Sequence, residues 1–255
     1  MNVVCIGAGR LAHHLMPVLQ KHDHNILQIY NRSEESGKSL AAKLHADYVS
    51  RLDEVNTTAD IYYFTLSDDA IAQVAEKLNK EHFLQGICVH SSGVLGLDVL
   101  PFENRGIFYP LQTFSDDHEI DWSNTPILIT SENETVSAQL KNIASSISSN
   151  VYEISEQQKP LLHIAAVVAN NFTNHMLHLA ESICKENNIP FDILRPLIRT
   201  TFEKALDNGP AESQTGPAIR GDEASIMRHI QLLQNHPQVL EVYRAITKSL
   251  QSTKD

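Results

Sequence analysis

A bend built from small residues, set directly after a short apolar run, constrains this chain more than any other feature. Val3-Val4-Cys5-Ile6 leads into Gly7-Ala8-Gly9-Arg10-Leu11-Ala12, a G-x-G-x-x-A pattern that opens the amphipathic stretch Arg10–Lys21. Gly7 permits the tight turn, Gly9 lets an anion approach bare backbone, and Ala12 is small enough for helix to pack on strand. The unpaired N–H groups and positive dipole end of the helix then face a phosphate. A second β-rich run at Ile26–Tyr30 completes the βαβ dinucleotide-binding spacing, with Gly7, Ala8, Gly9, Arg10 and Leu11 against the pyrophosphate.

The end of the second run selects the dinucleotide. NAD enzymes place an acidic side chain there to hold the ribose hydroxyls. Here the residues are Asn31-Arg32-Ser33. Arg32 can pair with a 2′-phosphate, and Asn31 and Ser33 can donate hydrogen bonds to it. The expected cofactor is therefore NADP(H). Ser33 also reads as the N-cap of a helix beginning Glu34-Glu35.

Further along, short β-rich runs (61–64, 87–89, 107–109, 126–129) are interleaved with amphipathic stretches (34–44, 70–78). That alternation implies βαβ units and a parallel sheet. After about Ser155 the strand signal stops, and helices are expected at 157–187, 191–207, 222–234 and 236–251, separated by breakers at Asn188-Ile189-Pro190, Asn208-Gly209-Pro210, Thr215-Gly216-Pro217 and His236-Pro237. The expected architecture is α/β: an N-terminal Rossmann-like, doubly wound, mostly parallel sheet (1–153), then an all-α domain (154–255) for substrate and dimerisation. A small-molecule site is expected in the cleft between the two.

Composition excludes other classes. Of 255 residues, 42% are hydrophobic, enough for a real core, and 20 basic residues against 31 acidic give a net charge of −11. With no Lys/Arg run, a nucleic-acid partner is not expected. The longest unbroken apolar stretch is Ile164–Ala169, so no membrane span is expected. Neither is a signal peptide. Cys5, Cys88 and Cys184 are far apart and odd in number; the expectation is buried reduced thiols in a cytoplasmic protein, with no metal site.

Ligands of open parallel sheets sit beyond the carboxyl ends of the strands. After 61–64 come Leu66 and Ser67, expected against the cofactor, although Ser67 or Asp68 also reads as a helix cap. After 87–89 come His90-Ser91-Ser92-Gly93, where the nicotinamide end belongs: Ser91 toward the cofactor, Ser92 toward the substrate, or simply a polar loop. Tyr109-Pro110-Leu111-Gln112-Thr113-Phe114 reads first as packing at the domain junction. On a regular helix from about Gln157, His163, Asn170, Asn171, Asn174 and His178 share one polar stripe, with His175 just beyond it. The remaining circumference is apolar, which predicts a central, buried helix. In Gln214–Asp222, Arg220 can orient a carboxylate or pair with an acidic neighbour, and Asp222 reads as an N-cap.

Together these segments, above all His163–His175 and Gln214–Asp222, resemble the NADP oxidoreductases that pair a Rossmann-like domain with a C-terminal helical domain of unknown function. That family is similar to the 6-phosphogluconate-dehydrogenase-like superfamily, with ketopantoate reductase, pyrroline-carboxylate reductase and the deazaflavin-dependent NADP reductase as relatives. The resemblance implies an NADP-binding first domain, a homodimer through the helical half, and no particular substrate. Relatives often carry a Lys and an Asn on the first long helix of the second domain. Lys159 stands near its start here, but its spacing to Asn170 and Asn171 differs from theirs. His163 is therefore the expected proton donor, with His90 or His175 as alternatives. Asn170 and Asn171 would hold the substrate oxygen, and Arg220 a carboxylate. The function expected is hydride transfer to or from a small carbonyl, imine or alcohol. The rival is an NADP-binding sensor or scaffold without turnover.

Overall fold

The computed structural model describes residues 1–115 and 119–252, in two compact units, Met1–Ala166 and Val167–Asp255. The first unit is built on one eight-stranded sheet. Its elements in chain order are β1 (Asn2–Ile6), α1 (Arg10–Lys21), β2 (Asn25–Tyr30), α2 (Glu34–Leu44), β3 (Asp47–Val49), β4 (Ile61–Phe64), α3 (Asp68–Glu81), β5 (Ile87–His90), β6 (Arg105–Pro110), β7 (Ile127–Thr130), α4 (Glu134–Ile147), β8 (Val151–Glu153) and α5 (Gln158–Ala166). The strand order is β3-β2-β1-β4-β5-β6-β7-β8, with only the β6–β7 pair antiparallel.

Val3 to Ile6 are fully buried, as a central parallel strand covered on both faces requires. Alternation sorts the side chains into two layers. Val3, Cys5, Tyr63 and Val89 pack with Leu15, Leu19, Leu40, Leu140 and Ile143 from α1, α2 and α4. Val4, Ile6, Tyr62, Phe64 and Cys88 pack with Ile71, Ala75 and Leu78 from α3. The topology reverses between β1 and β4, which makes their carboxyl ends the ligand crevice of such a sheet. Registry aligns Tyr30, Ile6, Phe64, His90 and Ile107 across it. Asn31, Gly7, Thr65, Ser91 and Phe108 therefore follow one another along one edge.

The second unit is helical: a π-helical segment (Val167–Phe172), α6 (Thr173–Glu186), α7 (Arg195–Asn208), the short α8 (Pro217–Arg220), α9 (Glu223–Leu232) and α10 (Pro237–Ser252). Two expectations fail here. The polar stripe presumed a regular period through residue 178, but a π turn inserts a residue and rotates all that follows by about 100°. The helix expected to be buried instead exposes Leu161, Ile164, Val168 and Phe172. Helix α7 buries no side chain at all. No helix among the described residues is long and apolar enough to cross a membrane.

Candidate functional site

The glycine turn is built as its chemistry demands. Gly7 has φ +111, and a Cβ there would lie 2.8 Å from Leu66 Cδ2 and 2.9 Å from the Thr65 carbonyl oxygen. A Cβ at Gly9 would lie 3.3 Å from the same carbonyl oxygen. Thr65 Oγ1 donates to the Gly7 carbonyl at 2.8 Å, tying β1 to β4 across the crevice. The Cys5 thiol beside it is pushed up to about 12 by burial, so it stays protonated.

Asn31 locks the neighbouring strand end. Its Oδ1 accepts from Ala8 N at 3.1 Å, and its Nδ2 donates to the Ser33 carbonyl at 2.8 Å. Asn31 therefore shapes the turn with both ends of its amide. Arg32 is exposed and makes no ion pair among the described residues. Arg10 is exposed and Leu11 half-buried in the first turn of α1.

The three helices that begin at this edge share a property. The N-cap positions of α1, α2 and α3 are Gly9, Ser33 and Ser67, and none makes a side-chain capping bond. The capping expected of Ser33 and Ser67 is thus absent, because neither hydroxyl turns back onto its helix. Caps appear elsewhere: Asn133 accepts from Thr135 N and Val136 N at the start of α4, and Asp222, as expected, accepts from Ser225 N. Uncapped N–H groups beside a glycine cradle suit an anionic ligand. The first turn of α1 carries no acidic residue. The residues present therefore fit a dinucleotide pyrophosphate.

A second cluster stands farther along the same edge. His90 is fully buried, with Nδ1 accepting from Ser92 N at 3.2 Å and Nε2 facing the Gly96 carbonyl at 3.0 Å. Burial pushes its pKa down to about 4, so it is neutral. With both ring nitrogens engaged by backbone, His90 holds the turn and has no free position from which to pass a proton. Ser92 acts with it: its Oγ accepts from Val94 N and Leu95 N. Ser91 Oγ donates to the Phe108 carbonyl at 2.6 Å.

Lys159 is the group the sequence undervalued. It is 1% exposed, and its Nζ donates to the carbonyls of Ser92 at 2.8 Å and Leu95 at 2.6 Å. Burial lowers its pKa, opposed by the charges of Asp68 and Glu156. Glu156 Oε1 in turn accepts from Leu97 N at 2.6 Å. One turn of α5 beyond Lys159, on the same helix face, comes His163. Its Nδ1 lies 3.0 Å from Tyr109 Oη. Gly93 makes room: a Cβ there would fall 2.3 Å from that nitrogen. Tyr109, read as packing, is thus a polar partner of His163. The 54 residues between them leave no local pattern to find.

The structure therefore brings together Ser91, Ser92, Gly93, His90, Tyr109, Lys159 and His163. Asn170, Asn171, His175 and Arg220 belong to the second unit, where all four are exposed. Asn170 and Asn171 fall in the π-helical segment. His175 lies beside His178, their rings tilted and their centroids 6.3 Å apart, and Arg220 ends α8, where its charge helps lower the pKa of Asp222 after that residue's bonds to Ser225. No group of three or more metal-ligating side chains occurs among the described residues. Cys5, Cys88 and Cys184 are free and buried.

A doubly wound sheet with a glycine cradle at its switch point, followed by a helical unit, defines a Rossmann-type nucleotide-binding protein with a C-terminal helical domain. Residues 1–113 match the Rossmann-like domain, and residues 125–250 match DUF2520, a domain of unknown function. A solved Bacteroides fragilis protein, designated a putative NADP oxidoreductase, is 38% identical over 98% of both chains, with a TM-score of 0.89. The chain belongs to that family. At 12% identity, a Streptomyces aurantiacus imine reductase shares the fold over 98% of this chain and 93% of its own, TM-score 0.75. A Myxococcus stipitatus imine reductase in complex with NADP+ does so at 13% identity over 99% and 92%, TM-score 0.71. Among curated proteins none matches.

Proposed function

We propose that this chain is an NADP(H)-dependent oxidoreductase acting on a small carbonyl, imine or alcohol. What supports the reading above all is one sheet edge carrying the glycine cradle and then the clamped Ser92–Leu97 turn, with His163 of α5 set against that turn and one of its ring nitrogens unengaged. The designation of the Bacteroides fragilis relative and the imine reductases of like fold agree with it.

The residues Gly7, Ala8, Gly9, Arg10 and Leu11 would hold the pyrophosphate, with Leu66, Ser67 and Ser91 along the cofactor. Arg32 and Ser33 would take the 2′-phosphate, beside the turn that Asn31 braces. A bound nicotinamide supplies or accepts the hydride. His163 gives the proton to the substrate heteroatom from Nε2, which has no partner among the described residues. Ser92 keeps its hydroxyl proton for the substrate, while Asn170, Asn171 and Arg220 complete recognition from the helical half. Limits of 1–153 and 154–255 would assign Lys159 and His163 to the helical domain, whereas the compact units divide at Ala166/Val167 and leave both with the sheet.

A second copy of the chain covers the apolar side chains of the helical half in this reading. Val168, Phe172, Ile193, Leu197 and Leu206 are all more than half exposed, and Leu206 is 85% exposed. Exposure on this scale in a single chain marks an interaction surface.

The test is His163→Ala, assayed with NADPH against a panel of small imines and ketones. NADPH affinity should be unchanged within about twofold and turnover should fall at least ~100-fold. Equal turnover in both forms would remove His163 from the chemistry. A panel that never consumes NADPH, with binding intact, would favour the sensor. In the same format, Arg32→Asp should lower NADPH affinity by about tenfold or more while sparing NADH.

A further inference from the structure

Resting on the reading of His163 as proton donor, we infer that Tyr109 is a positioning residue: its phenol donates to His163 Nδ1 and so fixes the tautomer that carries its proton on Nε2. The geometry leaves little choice. Nδ1 is wedged between bare backbone at Gly93, where a Cβ would stand 2.3 Å away, and Tyr109 Oη at 3.0 Å. Both walls are rigid. The Gly93 turn is held by Lys159 on the Ser92 and Leu95 carbonyls, by His90 on Ser92 N and the Gly96 carbonyl, and by Glu156 on Leu97 N. Tyr109 stands on β6, paired with Leu128 of β7, and Ser91 fixes the carbonyl just before it.

A neutral imidazole has one donor nitrogen and one acceptor, and a phenol can do either. Among the described residues Nδ1 is the one hydrogen-bond partner of Tyr109 Oη. If Nδ1 carried the proton, the half-buried phenolic hydrogen would be left without an acceptor, a costly arrangement. If the phenol donates, both groups are satisfied and the imidazole proton sits on Nε2, away from the turn. Burial raises the Tyr109 pKa, helped by the charge of Asp68, which keeps the phenol a donor throughout the neutral range. The consequence for catalysis is a histidine that already aims its Nε2–H at the substrate heteroatom; as that proton leaves, the Tyr109 proton moves onto Nδ1, so the imidazole stays neutral and the phenol is reprotonated from solvent.

The test is spectroscopic and needs neither cofactor nor substrate. Full-length protein with 15N-labelled histidine is examined by long-range 1H–15N correlation at a pH where His163 is neutral, its signals assigned by their loss in His163→Gln. Wild type should show the Nε2–H pattern alone, and Tyr109→Phe, which keeps the ring, should show a mixture of both tautomers. Turnover of Tyr109→Phe should fall about 10- to 100-fold with NADPH affinity unchanged. An Nδ1–H pattern in wild type, or an unaltered tautomer in Tyr109→Phe, would overturn the proposal. Turnover surviving in Tyr109→Phe would overturn its catalytic half. A tautomer switch observed alongside a fully active His163→Ala would leave the hydrogen bond standing and sink the donor reading instead, so the two failures are separable.

Discussion

The two units reach stability by different routes. In the first, whole strands are buried: β1, β4 and β5 place nearly every side chain out of solvent, between helices on both faces. In the second, α7 buries nothing, α10 buries Leu240, and α6 buries only Leu179 and Cys184. Both halves contain apolar side chains at helical spacing. What separates them is whether one chain supplies the surface on which those side chains pack. A helix of 14 residues is marginal alone in water, so α7 needs a cover that the first unit's helices already have.

The contrast is tested most sharply by charging the uncovered face. If a second copy covers this face, as proposed, Leu197→Asp should raise the dimer dissociation constant at least ~100-fold, because a twofold interface meets each substitution twice and burying a leucine is worth about 2 kcal/mol. Sedimentation over a range of concentrations reads this directly. A wild type that is already monomeric at micromolar concentration would remove the explanation for the exposed face. Leu15→Asp, in the closed core of the first unit, should abolish folding rather than dissociate anything.

Next in size is the buried lysine. Lys159→Met keeps the length of the side chain but strands the carbonyls of Ser92 and Leu95. The expected loss is about 2–4 kcal/mol, by urea unfolding. A change below about 0.5 kcal/mol would mean that water replaces the ammonium and that the turn is not clamped as described.

His90 gives a pH signature to the same turn. Its folded pKa of about 4 lies below the ordinary 6.5, so in that window the unfolded chain binds a proton that the folded one refuses. Stability is therefore full above about pH 7 and is lost as the pH falls. The share due to His90 is up to about 2 kcal/mol between pH 7.5 and 5. His90→Asn should flatten this part of the curve. An identical slope in both proteins would show that His90 is not buried neutral.

Legibility followed the range of the interactions. The glycine turn, the Arg10–Lys21 and Glu34–Leu44 helices and the β4 strand were readable because each is specified by its own residues. β3 and β8, three residues each, carry too little periodicity to announce themselves, and of α4 only the start is marked, by Asn133. Thr65, Tyr109 and the clamp by Lys159 were not readable, because each depends on which strand ends lie side by side. The register supplies that, and once Phe64 stands beside Ile6 the hydroxyl of Thr65 must meet Gly7. The π turn was invisible for a related reason: a local slip in hydrogen bonding leaves no mark on composition, yet it invalidated every angular position beyond Ala166.

The smallest effects concern the serines at the ligand edge, where a cap and a ligand contact make opposite demands. Asp222 bonds Ser225 N at 3.0 Å, so Asp222→Ala should cost about 1 kcal/mol of stability. Ser33 occupies the same position on α2 but makes no such bond. Ser33→Ala should therefore leave the unfolding midpoint within about 0.3 kcal/mol of wild type, while weakening NADPH about 3- to 10-fold if its hydroxyl serves the 2′-phosphate. NADH, which lacks that phosphate, should bind both forms alike. The reverse pattern, lost stability with unchanged affinity, would make Ser33 an ordinary cap. The uncapped start of α2 would then say nothing about a ligand.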